Sequence, residues 1–227
     1  MRYEIHGSVM QAVDVHLSKG ESIFTESGGM AWMSGDVEMS TGTKGGLMAG
    51  LGRALAGESL FMTTYTCQSA EGMVVFTPEV PGKVLDIKLA EGQSLICQKS
   101  AFMCAESSVK LEMHFRKKLG AGLFGGEGFI LQKLTGPGTV FVEIPGEVRD
   151  YTLQAGQTMK VDPGYIALFE PSVHYDIAMV KGLKNIFFAG EGLFLATLTG
   201  PGKIWLQTLP LSNLAARLAQ YMPTKGG

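Results

Sequence analysis

The sequence predicts an all-β protein: three tandem β-modules around a pseudo-threefold axis, followed by one short C-terminal helix. Three observations predict it. A set of landmark residues recurs three times at near-constant spacing. Apolar and polar residues alternate with the period of a half-buried strand. Short apolar runs are punctuated by glycine and proline, with glycine making up 31 of the 227 residues.

The landmarks run in the same order in each copy. Gly20-Glu21-Ser22, Gly92-Gln93-Ser94 and Gly156-Gln157-Thr158 open the three copies. A valine follows each glycine after 17 residues, at Val37, Val109 and Val173. A Gly-Glu pair comes next, at Gly57-Glu58, Gly126-Glu127 and Gly190-Glu191, and then Pro78, Pro145 and Pro210. Copies two and three also share Leu134-Thr135-Gly136-Pro137-Gly138 and Leu198-Thr199-Gly200-Pro201-Gly202.

Each copy reads as strands. Val109, Leu111, Met113 and Phe115 alternate with Lys110, Glu112, His114 and Arg116, and Val173, Tyr175, Ile177 and Met179 take the matching places in copy three. Val37 and Met39 alternate with Asp36, Glu38 and Ser40 in copy one. Phe61 to Cys67, Phe129 to Thr135, Val140 to Ile144 and Ile204 to Leu206 are further short apolar runs. This is the pattern of a sandwich or barrel. Only Leu211 to Met222 reads as a helix, with Leu211, Leu214, Ala215, Leu218 and Met222 on one face and Ser212 as N-cap. The modules are expected at 1–89, 90–153 and 154–210, with helix and tail at 211–227. The junctions at Leu89–Gly92 and Leu153–Gly156 are too short for flexible linkers, so one rigid body is expected.

Composition narrows the function. Nineteen bases against 21 acids give a net charge of −2, which argues against a protein dominated by nonspecific nucleic-acid binding. Cys67, Cys97 and Cys104 form neither a C-x-x-C pair nor a disulfide framework, and each reads as a small strand hydrophobe. The N-terminus lacks the apolar core of a signal peptide, and no stretch suits a membrane-spanning helix. A cytoplasmic, reducing setting is expected.

The stretches Gly29-Met30-Ala31-Trp32-Met33-Ser34-Gly35, Ala54 to Phe61, Gly122 to Gly128 and Leu198 to Thr208 resemble the bacterial branch of the altered-inheritance-of-mitochondria protein 24 family, from Met1 to about Tyr221. The resemblance implies a fold similar to the tryptophan RNA-binding attenuation protein, a compact double-stranded β-helix variant repeated three times, and assembly into trimers. The yeast member links the family to mitochondrial inner-membrane organisation. The family offers no catalytic residues to carry over.

A double-stranded β-helix raises the question of a cupin-type metal. His6, His16, His114 and His174 include no two close in sequence, so a His- or Cys-based metal site is rejected and no cofactor is expected. There is no G-x-S-x-G elbow, no H-E-x-x-H helix and no Walker A pattern. Gly120 to Gly125 fits G-x-G-x-x-G but precedes a strand and opens no helix. Glu58, Glu127 and Glu191 are repeated turn acids. They either accept the N–H groups of their own glycine turns, form an acidic ring for a cation, or lie exposed.

The loops before those acids carry bases and no acids. They hold Lys44 and Arg53 in copy one, Arg116, Lys117 and Lys118 in copy two, and Lys181 and Lys184 in copy three, among glycines and apolar residues. Under threefold pseudo-symmetry they share one face, which suits an anionic membrane surface or an acidic protein. Alternatively their apolar residues pack inside or between subunits. The expectation is a non-enzymatic scaffold or assembly protein, a homo-oligomer with a trimer favoured. The alternative is a small-ligand or RNA-binding module of the attenuation-protein type, with nucleic acid ranked second because the bases are few.

Overall fold

The computed structural model describes residues 1–26, 28–42, 62–117, 128–179, 194–219 and 221–222. The first strands are β1 (Arg2–His6), β2 (Ala12–Ser18), β3 (Ser22–Glu26), β4 (Met30–Gly42), β5 (Met62–Phe76) and β6 (Gly82–Leu89). The middle strands are β7 (Ser94–Gln98), β8 (Phe102–Glu106), β9 (Lys110–Lys117), β10 (Phe129–Thr135) and β11 (Gly138–Pro145). The last are β12 (Val148–Leu153), β13 (Thr158–Val161), β14 (Ile166–Phe169), β15 (His174–Met179), β16 (Phe194–Thr199) and β17 (Gly202–Gln207), followed by helix α1 (Leu211–Ala219). The described residues are mostly β-strand with one short C-terminal α-helix, as the alternation predicts.

Three antiparallel sheets form among the described residues. The first runs β1-β2-β5-β3-β8-β11-β6, with β4 also on β5; the second runs β12-β17-β14-β7-β10-β9; the third is β13-β16-β15. The first two each join strands from neighbouring stretches of chain. β3 meets β8 with Phe24 opposite Ala105 and Thr25 opposite Cys104. β7 meets β14 with Ile96 opposite Phe169 and Cys97 opposite Leu168.

The Gly-Glu/Gln-Ser/Thr landmarks are turns with a shared physical basis. Gly20, Gly92 and Gly156 take φ of +83°, +75° and +77°, the left-handed region that costs other residues a Cβ clash. The next side chain then reaches back three residues. Glu21 Oε2, Gln93 Oε1 and Gln157 Oε1 accept the N–H groups of Ser18, Ala90 and Gln154 at 2.8, 3.0 and 2.9 Å. The Thr-Gly-Pro-Gly landmarks answer to crowding. A Cβ on Gly138 would lie 2.8 Å from Val109 Cγ2, and one on Gly202 would lie 2.8 Å from Val173 Cγ2. Glu106 and Glu170 complete these corners, accepting the N–H groups of Thr139 and Lys203 at 2.6 and 2.8 Å.

A register irregularity recurs as well. Ala105, Cys104 and Phe102 face Val140, Phe141 and Val142, with Met103 skipped. Phe169, Leu168 and Ile166 face Ile204, Trp205 and Leu206, with Ala167 skipped. On β4, Met33, Trp32 and Met30 face Val74, Val75 and Phe76, with Ala31 skipped.

The core lies between the sheets, with Phe24, Phe76, Phe129, Phe141 and Phe169 fully buried. The Tyr175 ring stacks between Phe129 and Phe169, centroids 5.8 Å from each. Val109, Leu111, Met113 and Phe115 turn inward while Lys110, Glu112 and His114 are exposed, so the alternation predicted for β9 holds.

Two local expectations differ from the structure. Met39 is exposed although it alternates with polar neighbours, because no described layer covers that face of β4. The helix begins at Leu211, so Ser212 lies inside its first turn and is not the N-cap; Pro210 O accepts the N–H groups of Asn213 and Leu214. No residue of α1 is buried, and Leu218 on its apolar face is 55% exposed.

Candidate functional site

Most of the predicted site residues lie outside the described residues: Lys44, Arg53, Lys118, Lys181, Lys184, Glu58, Glu127 and Glu191. Two of the set are placed. Arg116 stands on β9 opposite Ile130 of β10. Lys117, at the end of β9, is half-buried, and its Nζ donates to Ile177 O of β15 at 2.6 Å. This ammonium ties the second sheet to the third.

The structure builds a different polar site where four segments meet. Two cavities of about 640 and 590 Å³ share the wall Glu79, Lys99, Ser100 and Glu143. β11 holds Glu143 half-buried on the face opposite Val142 and Ile144, where it lines both cavities, and the backbone N–H of Glu79 donates to its Oε2 at 3.3 Å. Burial, reinforced by the nearby Glu79 carboxylate, pushes the Glu143 carboxyl up to about 7. Lys99 Nζ sits 3.9 Å from Glu26 Oε2, and the fully buried Gln132 donates from Nε2 to Glu26 Oε1 at 3.0 Å. The second cavity reaches under α1, where Leu211, Ala215, Ala216 and Ala219 form an apolar roof. A carboxyl shifted to about 7 and a lysine on the walls of the same cavities, with an apolar roof on one side, have the chemistry to bind a small polar or amphiphilic molecule.

A third cavity of about 350 Å³ brings His114 and His174 together with Tyr175, although sequence spacing keeps the histidines apart. Burial and the Lys133 charge lower the His114 pKa, and burial raises that of Tyr175. Among the described residues no group of three or more His, Cys, Asp or Glu side chains is placed to hold a metal ion. Cys67, Cys97 and Cys104 are free and buried, and burial pushes the Cys97 and Cys104 thiols well up, away from nucleophilic chemistry.

Sequence reasoning missed Glu143, Glu79 and Lys99. One signal was present: Glu143 is a lone charge inside the apolar run Val140 to Ile144. It also missed Glu106 and Glu170, the acids that visibly recur at matching corners.

The family model described as Mitochondrial biogenesis AIM24 matches residues 3–209. An uncharacterized protein of Streptococcus pyogenes serotype M6 is 30% identical over 233 residues, covering 99% of this chain and 92% of its own length. The crystal structure of a protein from Streptococcus pyogenes aligns with a TM-score of 0.79 at 26% identity, covering 97% of this chain and 99% of that one.

Proposed function

This chain belongs to the Mitochondrial biogenesis AIM24 family, and from that premise we propose that it is a non-enzymatic, oligomeric scaffold or assembly protein. In this reading three like β-units carry a basic, glycine-rich face to an anionic membrane surface or an acidic protein partner, in a cytoplasmic setting. One observation carries the proposal. The three basic loops connect equivalent antiparallel pairs: β4 to β5 with Gly42 opposite Met62, β9 to β10 with Lys117 opposite Phe129, and β15 to β16 with Met179 opposite Phe194. The loops therefore leave like hairpins at like ends, the arrangement expected if their charges act together.

The cavities around Glu143 support a second reading, a small-ligand module. The two readings rest on different residues and can be tested separately.

The membrane arm is tested by sedimentation with phosphatidylcholine vesicles, with and without phosphatidylglycerol, at low and high salt. Each base near an anionic surface contributes about 1 kcal/mol before screening. Wild type is expected to sediment with the anionic vesicles at low salt and to be released at high salt. Lys118→Gln, Lys181→Gln and Lys184→Gln combined should lose most of that binding. Lys117 is left unchanged because its bond to Ile177 O is structural. Equal binding by both proteins removes these lysines as the lipid contact, and binding by neither removes lipid and leaves the acidic protein partner, which a pull-down from the native cell then tests.

A further inference from the structure

The chain joins its sheets by one rule, used twice. The outer edge of β3 takes β8, and the outer edge of β7 takes β14. The register is the same each time. Ser22 faces Thr66 on β5 and Ser94 faces Thr135 on β10, which fixes Thr25 and Cys97 as equivalent positions; these meet Cys104 and Leu168. β8 and β14 each skip one residue against their other neighbour.

Two strands fit this rule and lack its partner. β13 sits on β16 as β7 sits on β10, with Thr158 opposite Thr199, which makes Val161 the equivalent of Cys97 and Lys160 the equivalent of Ile96. The first part of β4 sits on β5 with the register and skipped residue of β8 and β14, which makes Trp32 the equivalent of Cys104 and Leu168. Among the described residues β13 pairs only with β16 and β4 only with β5. Where β8 and β14 are buried, Trp32 and Met33 are 53% and 41% exposed.

We infer that these edges are the two halves of one intermolecular joint: residues 32–34 of one copy pair antiparallel with residues 159–161 of a second copy, Trp32 opposite Val161 and Met33 opposite Lys160. The inference rests on the reading of three like units and adds the surface, the partner and the register. The contact is heterologous, since each copy gives one edge and takes another, so a closed ring of copies leaves neither edge free. Lys160 stands where Phe24 and Ile96 stand in the internal joints. A lysine on a free edge deters indiscriminate strand pairing, and across the joint it makes position 33 sensitive to the sign of charge.

Cysteine cross-linking on the full chain tests the pairing. Directly opposite residues hold their Cβ atoms about 4.5–5.5 Å apart, close to disulfide reach, and the native cysteines are buried. Trp32→Cys and Val161→Cys proteins, mixed and oxidised, should give a two-chain band that neither gives alone. Light scattering reads the assembly. Wild type is expected to be an oligomer, Met33→Lys to weaken association by about tenfold or more, and Met33→Glu to keep it. Cross-linking within one chain carrying both cysteines would overturn the inference, because the chain would then close on itself. An oligomer without the mixed cross-link and indifferent to Met33→Lys would overturn the joint and leave the scaffold reading standing. A monomeric wild type would overturn both.

Discussion

Glu143 is a carboxyl whose charge the fold disfavours. Its carboxyl is held at about 7, above its ordinary 4.5, chiefly by burial. In the unfolded chain it ionises near the ordinary value. Between there and about pH 7 the unfolded state gives up a proton that the folded state keeps. Stability therefore falls as pH rises through this window, and the deficit is complete above it. Glu143→Gln keeps the size and removes the charge. It is expected to raise stability at pH 8 by at most about 3 kcal/mol and to change little at pH 4; urea unfolding at both pH values checks this, and an equal effect at both would show that the carboxyl ionises freely. Glycines separate two kinds of constraint. Gly92 has open space around a Cβ and only a positive φ to lose, so Gly92→Ala should cost about 1 kcal/mol. Gly138→Ala adds contact with Val109 and Glu106 and should cost more in the same titration.

Strands were legible at β9 and β15, where one face is covered, while β2, which alternates as cleanly with Val13, Val15 and Leu17 buried, was not read. The alternation from Val109 to Phe115 and from Val173 to Ile177 marks β9 and β15 because each packs one side on the core and turns the other to solvent. The same alternation misleads at Met39, since periodicity records which residues share a face and not whether anything lies on it. Helix α1 repeats the lesson: its apolar stripe exists, yet the stripe roofs a cavity and buries none of its residues. A helix that packs so lightly adds little to stability. A chain ended after Pro210 is expected to melt within about 2–4 °C of the full chain; a larger drop by calorimetry would mean that α1 holds the sheets together.

At the scale of the whole molecule, the local corners were readable and the joints were not. The Gly-Gln-Ser type landmarks encode turns through one glycine and one short-range hydrogen bond, so they survive as sequence motifs. Nothing local says that Phe24 meets Ala105 or that Ile96 meets Phe169, because those pairs depend on strands distant in the chain. The Glu143 site is hidden for the same reason, since Glu26, Glu79, Lys99 and Glu143 come from four separate segments. The joints also have a direction in time. A ribosome delivers β8 well after β3 and β14 well after β7, so each sheet waits with an open edge for a strand not yet synthesised. The nascent chain thus carries a row of unsatisfied backbone groups that moves forward as synthesis proceeds. Each later strand seals the edge left open before it, and the last edge exposed belongs to β13.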